Sequence, residues 1–309
     1  MDERALEWGH RYAMVDPSQF RIDYAINPFM DPAVQPDHTR VAEQWDALAT
    51  ALRSAGAKVD VIPARADSPD MVYGMNLGLV VHRPEWSGPG RQSVVMSHMR
   101  YEQRRHETVS AEAWFQSRGY AASYVGRGGI GPHFEAGDAF PWRGELVIGY
   151  GPRTEELALK AVAADLGVQV RGLRITHPGM YHLDLAFCPL DERRAIVCPD
   201  ALDLPSAEAL LALVPEPLVI TEEEAIETFC ANSVVIGRTV VMPACPDRVR
   251  AQLEAWGFDV LVVDVSEFHL GGGSVRCLTN PLDITRGRDL EPVLGGRVLL
   301  PELDEEPAA

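Results

Sequence analysis

The sequence is poor in the features that declare whole functional classes. Its cysteines number five, at 188, 198, 230, 245 and 277, widely spaced and without a C-x-x-C, so neither a disulfide framework nor a zinc site is indicated. His177 and His182 stand five apart with no cysteine or third histidine in register, which leaves no metal-ligand pattern. The glycine-rich GRGGIGPH at 126–133 runs into proline and histidine where a helix should begin, and no Gly-Lys-Ser/Thr occurs, so nucleotide binding is disfavoured and no cofactor is expected. There is no G-x-S-x-G for a serine nucleophile. No apolar run approaches the roughly 20 residues that span a bilayer. The opening MDERALEWGH has no apolar core of a secretory signal, and a cytoplasmic protein is expected. Basic charge is scarce too: 28 Lys and Arg face 45 Asp and Glu, a net charge of −17 that repels nucleic acid and anionic membranes.

What is present is enough for a sizeable core. Hydrophobic residues make up 46% of the 309, and no low-complexity linker divides them. A single domain over 1–309 is expected, with 83–92 (RPEWSGPGRQ) as a long surface turn and 302–309 as a flexible acidic tail.

One plan recurs along the chain. LRSAGAKVDVIP (52–63), FQSRGYAASYVG (115–126), ADLGVQVRGLRIT (164–176) and LEAWGFDVLVVDV (253–265) each read as the end of an amphipathic helix, a glycine stop and a strand. LLALVPEPLVIT (210–221) is a fifth copy with proline in place of the glycine. After each unit comes a second strand-like run carrying polar residues: Asn76 in MVYGMNLGLVV, Glu135 and Asp138 in HFEAGDAF, His182 and Asp184 in YHLDLAFCPL, Asn232 in FCANSVVIG, and Cys277 in SVRCLTNPL. If the five units close around an axis, these positions converge on one central site.

The chemistry at those positions is coherent. On a strand, His182 and Asp184 would share a face. Glu135 or Asp138 could orient a histidine or take the charge of a cationic substrate. Cys277 follows the glycine triplet of LGGGSVRCLTNP. Alone it reads more readily as a buried apolar cysteine than as a nucleophile, but a thiol nucleophile needs a proton donor for its leaving group, and His182 held by Glu135 supplies one. Asn232 either lines the centre or caps a turn, and Trp45 reads as helix packing.

In order, INPFM, SPDMVYGMNLGLVV, FEAGDAF, GYGPRT, YHLDLAFCPL, CANSVVIGRTVV and GGGSVRCLTNPL resemble the guanidino-group-modifying enzymes of the pentein superfamily. The closest likeness is to the dimethylarginine dimethylaminohydrolase-like and arginine dihydrolase branch, over about Tyr12 to Leu282. The resemblance implies an α/β fold, a five-bladed propeller of pseudo-fivefold ββαβ repeats. It implies that Cys277 attacks a guanidino carbon to form a covalent thiouronium intermediate, with His182 as acid then base and Glu135 holding it. By the same carry-over Asp184 binds the guanidino nitrogens, Arg153 and Arg100 hold the substrate α-carboxylate, and Asn27 lines the site. The implied partner is a small guanidino or ureido amino acid, and a homodimer is compatible with the branch.

Two positions depart from related sequences. Asn76 stands where arginine deiminases carry aspartate, and an amide can hold a ureido carbonyl as well as a guanidinium, which admits two successive hydrolyses. Met75 precedes it where smaller residues are usual. The sequence leaves open transfer of the amidino group to an amine in place of hydrolysis, and a non-catalytic binding role of the kind the same fold serves in a ribosome anti-association factor.

Overall fold

The structure, a computed structural model, describes residues 5–86 and 90–301. The tail expected at 302–309 lies outside the described residues, as does the middle, 87–89, of the turn expected at 83–92.

β1 (Arg11–Val15) leads through α1 (His38–Ser54) to β2 (Lys58–Ile62), which pairs parallel with it. A fuller version then repeats. β3 (Gly78–His82) runs antiparallel to β4 (Gln92–Met96), and α2 (Arg105–Ser117) returns the chain to β5 (Ala121–Tyr124), parallel to β4. The next copy is β6 (Ala139–Trp142), β7 (Glu145–Tyr150), α3 (Glu156–Leu166) and β8 (Gln169–Arg174). β9 (Phe187–Pro189), β10 (Arg194–Val197), α4 (Leu204–Leu213) and β11 (Glu216–Val219) follow it. After α5 (Glu222–Thr228) come β12 (Val234–Ile236), β13 (Thr239–Met242), α6 (Asp247–Ala255) and β14 (Asp259–Val262). Past α7 (Ser266–His269), β15 (Asn280–Pro281) pairs antiparallel with β1 and gives the first unit its missing leading strand. The result is a mixed α/β fold with five sheets, one of them widened by β16 (Arg297–Leu299) alongside β8.

The five helix-strand units therefore match the five read from the sequence, and local chemistry explains them. Gly56, Gly119, Gly167 and Gly257 follow α1, α2, α3 and α6 with φ of +104°, +85°, +60° and +78°, the left-handed turn that lets a helix stop and a strand begin. α4 lacks that glycine and leaves through extended Val214. Along α1, Val41, Gln44, Trp45, Leu48 and Leu52 form one buried stripe at helical spacing. Trp45 packs there and donates its Nε1–H to the Val15 carbonyl at 2.8 Å.

The second runs differ from expectation in one respect that matters for the site. His182–Leu185 does not form a strand: Leu183–Leu185 is a turn of 3-10 helix, and the strand begins only at Phe187. Asn76 and Asp138 also lie in 3-10 turns, Gly74–Leu77 and Ala136–Asp138, while Asn232 and Cys277 lie in plain turns. The polar residues thus precede the leading strands, where turn backbone can be satisfied locally and side chains need not alternate. Among the described residues no helix is long and apolar enough to cross a membrane.

Candidate active site

The turns that lead into the five sheets bring their polar side chains together in the interior. Glu135, Asp138 and Asp184 are fully buried, and Asn76, His182, Arg153 and Cys277 nearly so. Buried charge on this scale persists only when each group has partners, and most of them do.

Glu135 is the hub. One carboxylate oxygen, Oε2, lies 2.8 Å from His182 Nε2 and 3.3 Å from Arg153 Nη1, while Oε1 accepts the Arg100 backbone N–H at 2.9 Å. Burial works to raise its pKa, but the Arg153 charge and the His182 bond outweigh it and hold the carboxyl well below the usual range. An anionic Glu135 fixes the proton of His182 on Nε2, leaving Nδ1 as the nitrogen free to exchange a proton.

That free nitrogen faces a surface with no side chain. A β-carbon added at Gly137 would lie 3.4 Å from His182 Nδ1, 3.3 Å from Asp184 Oδ2 and 2.5 Å from Asn76 Oδ1. Asp184 Oδ2 in turn accepts the Cys277 S–H at 3.4 Å. Gly137 is therefore the common wall against which imidazole, carboxylate and amide meet, with the sulfur one contact further on. In the sequence, Gly137 carries no signal beyond that of a turn.

Cys277 is held by three hydrogen bonds to two side chains, Asn232 and Asp184. Asn232 Oδ1 accepts its backbone N–H at 3.1 Å, Asn232 Nδ2 donates to Sγ at 3.2 Å, and Asp184 Oδ2 accepts the hydrogen bond of the thiol S–H at 3.4 Å. Burial first, and the Asp184 charge second, push the thiol well above its ordinary pKa, so in this arrangement the sulfur is protonated. The glycine triplet before it packs closely on its surroundings. Gly272, at φ +84°, accepts the Tyr181 hydroxyl at 2.7 Å, and a β-carbon there would stand 2.7 Å from Asn27 Oδ1. Asn27 itself donates to the Gly271 carbonyl at 3.0 Å, tying the INPFM segment over the cysteine loop.

Other expected residues are placed differently. Asp138 Oδ1 accepts the Leu183 backbone N–H at 2.9 Å and so pins the turn bearing His182 and Asp184. Burial pushes its carboxyl up to about 7. Arg153 and Arg100, expected to hold a substrate carboxylate, both have protein partners in the structure. Arg153 spends its guanidinium on Glu135 and on the Ile26 carbonyl at 3.1 Å, and is stacked between the rings of Tyr101 and Tyr181. Arg100 reaches the site through its backbone N–H, while its half-exposed side chain pairs with Glu155 at 3.3 Å. Asn232, which the sequence left undecided, is fully buried against the sulfur. All five cysteines are free, and among the described residues no cluster of His, Cys, Asp or Glu is arranged to hold a metal ion.

The family described as N,N dimethylarginine dimethylhydrolase, eukaryotic, matches residues 16–284. The chain is 35% identical over 272 residues to the N(G),N(G)-dimethylarginine dimethylaminohydrolase of Mycobacterium tuberculosis, covering 87% of this chain and 84% of that one. It is 31% identical over 273 residues to the bifunctional arginine dihydrolase/ornithine cyclodeaminase AgrE of Nostoc sp., but spans only 37% of that longer protein. Among solved structures, the product-bound N-terminal domain of ArgZ, an arginine dihydrolase from cyanobacteria, superposes with a TM-score of 0.82 at 30% identity, over 89% of this chain and 98% of that domain. The family match and the mycobacterial relative each cover most of the sequence, and so the chain belongs to the N,N dimethylarginine dimethylhydrolase family.

Proposed function

We propose that the chain is a cysteine-dependent hydrolase of the guanidino group of arginine or an N-alkylated arginine, working through a covalent thiouronium intermediate on Cys277. The observation that carries this reading is the chain of contacts from Cys277 Sγ through Asp184 to the Gly137 wall and His182 Nδ1, with Glu135 behind the imidazole. The relatives support it: a variant of the ArgZ N-terminal domain, similar with a TM-score of 0.82 at 29% identity, is described as covalently bound to a reaction intermediate. We further propose that the five sheets are blades around a pseudo-fivefold axis and that the chain is one catalytic unit, since the turns at 74–77 and 183–185 both pack against the turn at 136–138.

Asp184 Oδ1 is buried with no hydrogen-bond partner among the described residues, an acceptor that a guanidinium N–H would satisfy. The cation also offsets the Asp184 charge, one of the causes that hold the sulfur protonated. The thiol proton then passes to His182, and the thiolate attacks the guanidino carbon to give a neutral tetrahedral adduct. Imidazolium returns that proton to the departing nitrogen; the C–N bond breaks, ammonia or an alkylamine leaves, and the cationic thiouronium remains. His182 next takes a proton from water, whose hydroxide adds to the same carbon. As the C=O forms, the C–S bond breaks and the hydroxyl proton leaves on sulfur. The imidazolium proton goes finally to the released amine, so guanidinium and water yield a ureido group and an ammonium ion.

Asn76 favours a second step. Its Oδ1 accepts the Gly137 N–H at 3.0 Å, so the carboxamide must turn its N–H side toward the cavity. A donor there opposes a guanidinium, which only donates, and suits a ureido oxygen. Arginine to a citrulline-like stage and onward is therefore within this site's reach. The test is incubation with arginine, N,N-dimethylarginine and citrulline, with and without glycine as acceptor, and mass-spectrometric reading of products. Release of ammonia or dimethylamine without acceptor, lost in Cys277→Ser, is expected. Turnover only with acceptor, or none with any of the three, would overturn the reading.

A further inference from the structure

We propose that Asn232 is a catalytic residue of this site, the hydrogen-bond donor that stabilises the Cys277 thiolate. The inference rests on the reading of Cys277 as nucleophile and deepens it. Asn232 is fully buried and comes from the turn before β12, while the residues it holds come from the turns before β9 and β15.

The carboxamide has only one consistent orientation. Its oxygen accepts the Cys277 backbone N–H at 3.1 Å, which forces the NH2 end toward the sulfur. Of the two N–H groups, Nδ2 spends one on the Asp184 carbonyl at 3.0 Å and the other on Cys277 Sγ at 3.2 Å. The backbone carbonyl of Asn232 also accepts the Arg276 N–H at 3.2 Å. One side chain thus fixes the height of the cysteine loop, the position of the Asp184 backbone and a donor aimed at sulfur.

Of the two side-chain contacts at the sulfur, only one improves when the thiol ionises. The bond from S–H to Asp184 Oδ2 exists only while the proton remains, and afterwards two negative charges face each other at 3.4 Å. The bond from Asn232 strengthens, because donors to charged acceptors bind more tightly than to neutral ones. The other titratable groups coupled to the sulfur are Arg276 on its own turn and Tyr73 and Tyr181 across the cavity, with His182 beyond Asp184. Among the described residues neither tyrosine donates to it: Tyr73 donates to the Phe268 carbonyl at 2.6 Å and Tyr181 to that of Gly272 at 2.7 Å. Arg276 turns away, donating to the Ala139 carbonyl at 3.1 Å and lying over Phe140. Asn232 is the side chain left to hold the anion.

The test is the rate of Cys277 alkylation by iodoacetamide against pH, read peptide by peptide so that the other four cysteines are counted separately. Asn232→Ala and Asn232→Asp should move the profile upward, slowing alkylation at a fixed pH about tenfold or more, while Asn232→Ser, which keeps a shorter donor, recovers part of the rate. In turnover kcat should fall while KM changes little. An unchanged alkylation profile in a folded variant, whatever its activity, would overturn the proposal. Should none of the variants fold, the wild-type protein decides: the Asn232 carboxamide 15N signal must shift with the ionisation of Cys277, and a signal indifferent to it refutes the role. Alkylation needs no substrate, so a protein that turned over no arginine derivative would still report on Asn232. Hydrolysis with an unshifted profile sinks this inference alone.

Discussion

Replacing Gly137 by alanine is the sharpest perturbation of the pocket, because it adds one methyl group where imidazole, carboxylate and amide meet. Gly137 is absent from the residues with positive φ, so the variant carries no left-handed backbone penalty. The new carbon would stand 2.5 Å from Asn76 Oδ1, and ordinary contact distances of about 3.5 Å require the amide to withdraw by about 1 Å. That movement breaks the 3.0 Å bond from the Gly137 N–H and leaves a buried donor unpaired, a cost of about 1–3 kcal/mol. A displacement of this size at the reacting centre is also enough to cost about 100-fold in rate. We expect a folded protein, melting a few degrees lower, whose kcat/KM on its best arginine derivative falls about 100-fold while iodoacetamide still reaches Cys277. The assay is steady-state amine release with a thermal melt on the same preparation. If Gly137→Ala folds and retains kcat/KM within about threefold of the wild type, substrate does not lie against this wall and the site has been drawn in the wrong place.

Glu135→Gln removes the anion that fixes the His182 proton and balances Arg153, and should lower kcat by about 10²–10⁴ with KM little changed. Arg153→Met takes away the charge that depresses the Glu135 carboxyl, so Glu135 should protonate at higher pH and the acid limb of the kcat/KM profile should move toward neutrality. Asp138 is raised by burial from 3.8 to about 7, so between those values the folded chain holds a proton that the unfolded chain has released. Its contribution is full at low pH and is lost as pH rises toward 7; Asp138→Asn, uncharged and still able to accept the Leu183 N–H, should gain in melting temperature relative to wild type between about pH 5 and pH 7.5.

Much of this architecture is legible in the sequence because the signals are local. A glycine stop after an amphipathic stripe needs only its own neighbours, and Gly56, Gly119, Gly167 and Gly257 act where the pattern says. The convergence of Glu135, His182, Asp184 and Cys277 follows from their equivalent places in the repeat. What misleads is alternation: His-Leu-Asp-Leu reads as a strand, yet the backbone turns there, with the Leu183 N–H satisfied by Asp138, a partner 45 residues away. Arg153, which the resemblance assigns to a substrate carboxylate, is engaged by Glu135 of its own unit and by the rings of Tyr101 and Tyr181 from neighbouring units. Asn232 was ambiguous for the same reason, since its partners lie 45 and 48 residues off. The segment that carries β16 across to β8 has no counterpart in the repeat and was not foreseen.

The most direct test of the account is to mix the protein with arginine or N,N-dimethylarginine, quench in acid during turnover, and weigh the peptide that contains Cys277. The expected result is a mass increase equal to the amidine-bearing substrate less the amine that departs, on Cys277 and on no other cysteine. Product formation with every cysteine unmodified, or an adduct on Cys188, Cys198, Cys230 or Cys245 instead, would contradict it.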